Sequence, residues 1–558
     1  MKKSKILGWV ALGLMVLSLV GIVFINRPTS REKVLRFPST FEGKTSTLEA
    51  SYYEVKDAEY AALICPGFSC DRQKLRPIAD QFVSVGVTSM TFDYSGQGAS
   101  TGVIGFGNAK SNHIPTEISH ALKKLHEVSG IPYDHIVLVG HSMGGRSILK
   151  LFTLDIYEEP VGAAMLIAPE VDYVYNLQAS LFTGTSDETE EPWKSYDGRY
   201  TKDTAVYLMS STFDDTVPHP STIELFRRLG GKMEQTEGVI SPMVLQTNSY
   251  GARVALRIVP GALHSYQMYA PAIKEGLNTA ISDFTGLPAN YFTWANYVLY
   301  GLWFLGFVGL FLLLKTLTPK REETAENLPK LTNFGRFIGW KVFLWLPALL
   351  VMFLICCVSV VMPFGSPVLN IVFMGSIAGY GAVMFLAYRK GRFKGTEGKL
   401  LRVRFKVPKQ ALPVALGIAT LAVAFAIYEV RAGLYRVMPF NFRVVFLLFA
   451  GLAMTVGYYI SGIETDMLRA AKVKGWQRLL YQIVQYVPIL LYTLSYIALG
   501  SVSGLVEQAQ NLMFMYVFAL PLGRFFTART GNRLYGAALT AFSFQMMMLM
   551  STALIAVF

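Results

Sequence analysis

The hydrophobic positions divide this chain into two textures. Residues 27–295 alternate short apolar runs with polar turns, whereas residues 296–558 are dominated by long, nearly uninterrupted apolar stretches. A similar stretch opens the chain at Ile6–Ile25, behind Lys2, Lys3 and Lys5. A bilayer core is crossed by about 20 helical residues. On that measure nine spans are predicted: Ile6–Ile25 and segments near 296–316, 342–363, 368–388, 411–430, 443–462, 479–500, 507–524 and 536–558. The 507–524 segment is the most polar, with Glu507, Gln508, Gln510 and Asn511 at its start. The first segment has the basic start of a signal peptide, but its apolar run is long and ends without a small-x-small cleavage site, which favours an uncleaved anchor.

Basic residues orient these spans. The segment 389–410 carries Arg389, Lys390, Arg392, Lys394, Lys399, Arg402, Arg404, Lys406 and Lys409 against one acid, Glu397, and is expected in the cytoplasm. Alternation then puts the N-terminus and the loops 318–341, 463–478 and 525–535 on the same side, and all are rich in Lys and Arg. The opposite loops, 364–367, 431–442 and 501–506, hold only Arg431 and Arg436 as basic residues. Residues 27–295 are therefore expected outside the cytoplasm, in a multi-pass protein of the cell membrane. The net charge of +13 is largely this bias, and no nucleic-acid motif accompanies it, so the bilayer rather than nucleic acid is the expected partner. A hydrophobic share of 52% and a mean hydropathy of +0.37 are high for a soluble chain.

Within residues 27–295, Ala61–Cys65, Ile136–Val139, Thr204–Met209 and Ala255–Val259 read as buried strands. Their spacing predicts an α/β domain with a mostly parallel sheet and helices on both faces. Gly140-His141-Ser142-Met143-Gly144 lies between the second of these strands and a helix beginning about Ser147. Strand, sharp turn and helix around Gly-x-Ser-x-Gly form a nucleophile elbow, whose strained turn leaves no room for side chains beside the serine. A serine hydroxyl needs a base, and the base needs a carboxylate to hold its tautomer. In this arrangement the partners follow in the order Ser, Asp, His. Asp214 and Asp215 both follow the strand ending at Met209. His113, His120, His126 and His135 precede the serine, His141 lies inside the elbow, and His219 opens a helix. Only His264 has both the order and a strand-end position. Oxyanion donors are expected from the backbone N–H of Met143 and of Phe68, the latter in the Pro66–Ser69 loop after the first strand.

Residues 60–285 resemble the serine-hydrolase branch of the α/β-hydrolase superfamily, near the lysophospholipase, monoacylglycerol lipase and serine aminopeptidase group. Phe92-Asp93-Tyr94-Ser95-Gly96-Gln97-Gly98-Ala99-Ser100 resembles that group's Asp-x-Arg-Gly-x-Gly-x-Ser loop. Ser211 through Val217 is similar to Gly-x-x-Asp-x-x-Val, and that register selects Asp214 as the acid. The chain departs from the pattern at Cys65-Pro66-Gly67, where His-Gly is frequent, at Ser95 for arginine and at Ser211 for glycine. The resemblance implies a Ser142–His264–Asp214 triad acting on an ester or related acyl substrate, including lipid-like ones, through an acyl-enzyme. An acyltransferase or a peptidase would use the same groups. A transport or assembly protein whose hydrolase-like domain only binds is the rival from another class.

The resulting architecture is an N-terminal anchor (1–26), an extracytoplasmic α/β-hydrolase domain (27–295) and an all-α transmembrane bundle of about eight helices (296–558). A lid is expected at 170–203, where Tyr173, Tyr175, Leu177, Leu181, Phe182 and Trp193 could line an acyl pocket. A second insert at 231–252 has no assigned role. Cys65 and Cys70 are candidates for a disulfide, and Cys356 and Cys357 for apolar packing within a span. Glu429 and Glu507, at span ends, suit interfacial solvation or a substrate path. No metal-ligand spacing or phosphate-cradling loop is present, so no metal or cofactor is expected.

Overall fold

The computed structural model describes residues 2–25, 32–105, 113–154, 156–171, 202–234, 238–289, 294–317, 329–360, 368–400, 443–498 and 515–550, with the short pieces 414–415, 418, 509, 512–513 and 555–556. Strands β1 (Glu32–Phe41) and β2 (Lys44–Tyr53) form an antiparallel hairpin. Its turn residues, Glu42 and Gly43, both have positive φ, the backbone whose twist matches the strands it joins. Beside β2 lie β4 (Thr88–Phe92), β3 (Ala61–Cys65), β6 (Ile136–His141), β7 (Ala163–Ile167), β8 (Ala205–Ser211) and β10 (Arg253–Val259), parallel from β4 onward. These six strands are almost wholly buried, as expected where both sheet faces are covered. Helices α3 (His113–Ser129), α4 (Met143–Leu154) and α5 (His219–Arg228) pack on one face with Leu63, Leu138, Leu166 and Leu208. Helices α2 (Arg76–Ser84) and α6 (Pro271–Thr285) pack on the other with Ile64, Val139, Met165 and Tyr207.

Three expectations change. The 231–252 insert contains strand β9 (Ile240–Thr247), which pairs antiparallel with β10 and closes the sheet edge. Its polar alternation hid it, because only one face is covered. Cys65 and Cys70 form no disulfide; both thiols are free and buried. They belong to the cores on opposite sheet faces, Cys65 with Leu63 and Cys70 with Ile64. Cys357 is exposed on its helix rather than packed. The expected lid falls mainly at 172–201, outside the described residues, as do Glu429, Glu507 and most of the predicted span at 411–430.

The second half is helical: α7 (Trp294–Leu317), α8 (Phe334–Val360), α9 (Val368–Arg389), α10 (Arg443–Ala470), α11 (Gly475–Gln485), α12 (Val487–Ala498), α13 (Leu520–Thr530) and α14 (Arg533–Met550). By length and composition, two stretches among the described residues, Phe334–Ile355 and Val444–Ala470, are apolar enough to cross a membrane. The predicted 479–500 span is split at Tyr486, just before Pro488. Proline supplies no N–H for the carbonyl of Val484; that carbonyl instead accepts the indole N–H of Trp345 at 2.6 Å. Much of 507–514 in the predicted 507–524 span lies outside the described residues; beyond it a π-turn at Met515–Ala519 leads into α13 at Leu520. The predicted 536–558 span ends as helix at Met550.

Helix α1 (Lys2–Ile25) packs antiparallel on α7: Gly8 meets Leu313, Ala11 meets Gly309, Met15 meets Gly306 and Gly21 meets Leu299. A methyl on Gly309 would lie 1.7 Å from Cβ of Ala11, so the close approach needs glycine. At one end of α8–α11 a fully buried ion pair joins Lys341 Nζ to Glu464 Oε2 at 2.6 Å. Tyr388 and Tyr481 each donate to the same carboxylate at 3.0 Å, and Tyr380 donates as well. Strands β11 (Lys330–Leu331) and β12 (Thr396–Glu397) form a short antiparallel pair within the helical half. Among the described residues the two halves meet where β13 (Ile555–Ala556) pairs parallel with β5 (Ile104–Gly105) and where Phe446 of α10 packs on Val103.

Candidate active site

Ser142 stands between β6 and α4 with φ +54°, a left-handed conformation that a non-glycine residue holds only when its surroundings impose it. The glycines around it make the turn possible. A Cβ on Gly140 would come within 2.7 Å of the Gly145 backbone, and one on Gly144 within 2.4 Å of the Cys65 carbonyl oxygen. The helix begins at Met143, four residues earlier than the apolar pattern suggested.

The elbow meets two loops from the same end of the sheet. Ser142 Oγ donates to His264 Nε2 at 2.7 Å. His264 Nδ1–H donates to the Asp214 carboxylate, 2.9 Å from Oδ2 and 3.1 Å from Oδ1. Ser142 and His264 are 8% and 6% exposed, so this chain of hydrogen bonds runs through a largely dry site in which each link is strengthened. Burial alone would lower the His264 pKa, but the Asp214 charge and hydrogen bond, with Asp215 and Glu170 adding, raise it above the ordinary imidazole value.

Asp214 and Asp215, inseparable by position in the chain, divide the work. Asp214 takes the imidazole, while its Oδ1 also accepts the backbone N–H of Thr216 and Val217. Asp215 Oδ1 accepts the backbone N–H of His264 at 2.7 Å. Burial raises the Asp215 pKa.

Three further residues shape the site, none of them assigned a role from the sequence. Gln267, fully buried, donates from Nε2 to Asp214 Oδ2 at 2.6 Å. The Ser211 hydroxyl accepts the N–H of Phe213 and of Ala262, tying the acid loop to the histidine loop; its divergence from glycine was the only signal. His141 Nε2–H donates to the His264 carbonyl at 3.1 Å. Burial, then the neighbouring His264, holds the His141 pKa well below the usual value, so it is a neutral brace. The other five histidines have other places: His120 on Ser39, His126 on the Ile131 carbonyl, His135 on the Glu59 carbonyl, His113 on Glu117, and His219 as the first residue of α5.

Of the expected oxyanion donors, Met143 directly follows the serine and Phe68 lies in a loop that reaches the elbow. Met143 is the first residue of α4, where an N–H has no partner within its helix. The loop carrying Phe68 touches the elbow, since a Cβ on Gly67 would lie 3.2 Å from Ser142 Cβ. That loop is latched from behind. Cys70 N–H donates to Gln97 Oε1 at 3.0 Å, and Arg72, buried, pairs with Asp93 at 2.6 Å and with Glu49. Among the described residues no group of His, Cys, Asp and Glu is placed to hold a metal ion.

A nucleophile-bearing turn, an imidazole on its hydroxyl and a carboxylate behind the imidazole are the parts of acyl transfer by a serine. The family described as serine aminopeptidase, S33, matches residues 56–189. No curated protein matches the chain. Among solved structures, a soluble variant of monoglyceride lipase from Saccharomyces cerevisiae is 17% identical, covering 46% of this chain and 94% of that one with a TM-score of 0.30. The α/β hydrolase GrgF from Penicillium sp. sh18 is 18% identical over 47% of this chain and 100% of its own, TM-score 0.34. Est1E from Butyrivibrio proteoclasticus, bound to ferulic acid, is 14% identical over 45% and 99%, TM-score 0.32. Sheet order and helix layering give the first half of this chain an α/β-hydrolase fold, and residues 56–189 within it match the serine aminopeptidase, S33, family.

Proposed function

We propose that this chain is a membrane-bound serine hydrolase that cleaves an ester or related acyl substrate outside the cytoplasm. The 2.7 Å hydrogen bond from Ser142 Oγ to His264 Nε2 carries the reading. Ser142 Oγ attacks the acyl carbon as its proton passes to His264 Nε2. The resulting oxyanion is held by the amides of Met143 and Phe68. Collapse breaks the bond to the leaving alcohol, which takes the proton from His264. Water then repeats the sequence on the acyl-enzyme, releasing the acid and restoring Ser142. Asp214 keeps His264 in the tautomer that can accept at Nε2.

The membrane placement rests on the orientation of the basic loops and on how the helices pair. Basic-loop counting puts Ile25, Trp294, Phe446 and Ile555 at the extracytoplasmic ends of their segments. Two of these flank the hydrolase domain in the chain, and the other two belong to elements that touch it at Val103–Gly105. Lys341, Tyr388, Glu464 and Tyr481, assigned to the cytoplasmic ends, lie together in one cluster.

A membrane-impermeant fluorophosphonate applied to intact cells should label the wild-type chain and leave Ser142→Ala unlabelled at equal abundance. Labelling of Ser142→Ala at the wild-type level would remove the nucleophile, and labelling only after lysis would invert the topology. The matched family's description favours a second reading on the same groups, removal of an N-terminal residue from a peptide. Turnover of aminoacyl amides in preference to esters would select it.

A further inference from the structure

The contact between the two halves falls on a particular part of the hydrolase domain. Loop 93–100 braces the oxyanion loop through the bonds of Gln97 and Asp93 to Cys70 and Arg72. It is itself held shut: Ala99 N–H donates to Asp93 Oδ2 at 2.9 Å and Ser100 Oγ to the Asp93 carbonyl at 2.6 Å. The chain leaves this loop through Gly102 and within three residues reaches Val103, Ile104 and Gly105. There Phe446 packs on Val103, and β13 adds a parallel strand to β5. Strand addition uses main-chain hydrogen bonds, so it fixes the position of a segment without needing a particular side chain.

Two aromatic residues next to the acid and the base in the chain are exposed. Phe213, next to Asp214, is 66% exposed, and Tyr266, two residues beyond His264, is 40% exposed. Large aromatic side chains bared at the mouth of a polar site mark a surface that meets something apolar. Tyrosine in particular suits a boundary that is apolar on one side and wet on the other.

Resting on the hydrolase reading of the site, we propose that the helical half docks on Val103–Gly105 to hold the mouth of the site at the bilayer surface, where it takes acyl esters that reside in the membrane rather than in water. The β5–β13 pairing and the Phe446 contact fix the segment that follows the brace of the oxyanion loop, and Phe213 and Tyr266 offer exposed apolar surface beside the acid and the base. An ester leaving the bilayer then meets the serine with its acyl chain still on apolar surface, so its chain is not exposed to water before reaction.

The test compares two substrates on the full chain reconstituted in vesicles: a water-soluble short-chain ester and a long-chain monoacyl ester carried in the same vesicles. Deletion of residues 551–558 and, separately, Phe446→Ala should each lower turnover of the vesicle-borne ester about tenfold or more, a change of ~1.4 kcal/mol in barrier. Turnover of the soluble ester should stay within about twofold. Phe446→Ala leaves the chain length intact and covers the case in which the truncated protein fails to fold. Equal loss on both substrates, or no loss on either, overturns the docking proposal while Ser142-dependent turnover of the soluble ester leaves the hydrolase reading standing. Absence of that turnover in the wild type overturns the hydrolase reading itself, and the docking proposal with it.

Discussion

Among the buried polar clusters of the described residues, two are built from similar groups and have opposite characters. In the hydrolase half, a hydroxyl, an imidazole and a carboxylate form a line: Ser142, His264, Asp214. In the helical half, an ammonium and three phenols converge on one carboxylate, that of Glu464. The line is asymmetric, and its end is a hydroxyl on a strained turn. The convergent cluster is closed, because both Glu464 oxygens accept from the surrounding donors and Lys341 also lies 4.3 Å from the ring centroid of Tyr380 and 4.7 Å from that of Tyr481. A buried charge whose hydrogen bonds are all internal holds helices in register. A buried chain that ends on a reactive atom stores the ability to move a proton. Reactivity here is a matter of what is left unclosed, not of how many charges are buried.

The largest effect that would sharpen this contrast is loss of the nucleophile. Ser142→Ala should cut ester turnover on the order of 10⁶-fold with an unchanged unfolding midpoint; a residual rate near wild type would break the contrast at once. Asp214→Asn should cost about 10⁴-fold in turnover, because an amide no longer enforces the Nδ1–H tautomer. In the helical cluster the expected loss is in stability and not in rate. Glu464→Leu strands Lys341 and should cost about 3–5 kcal/mol, with most of it returned when Lys341→Met is added. Thermal unfolding in detergent reads both, and a Glu464→Leu protein of wild-type stability would show that the pair does not brace the bundle. The smallest effect concerns pH. His264 must be neutral to accept the serine proton, and its pKa is raised. The acid limb of kcat/KM should therefore lie above the ordinary imidazole value, with activity rising as pH climbs through it. Asp215→Asn removes one of the charges that raise that pKa and should move the limb toward lower pH; an unmoved limb would confine Asp215 to its backbone contact.

The reactive line was legible in the sequence because strand-end loops obey a fixed order and Gly-x-Ser-x-Gly has a steric cause. Asp214 was separated from Asp215 only by resemblance, since neighbouring acids differ in where they point and not in where they sit. Gln267 was invisible: a lone glutamine three positions past a histidine has no pattern, and its partner is 53 residues away. The closed cluster was equally hidden. Lys341 lay in a segment already assigned as a basic loop, while Glu464 and the tyrosines belong to other helices, so only the bundle's packing brings them together. Hydropathy located most of the helices and missed their breaks, because Pro488 changes the backbone without changing apolar character.

The antiparallel seam between α1 and α7 has a last implication. Because Ile25 and Trp294 lie at the same end of that seam, the globular half both leaves and re-enters the helical half at one spot. It is an insertion within a hairpin and not an appendage at a chain end. Excising residues 27–293 and bridging the gap with a short linker would leave an unbroken helical hairpin, so the two halves are separable by a single cut and join.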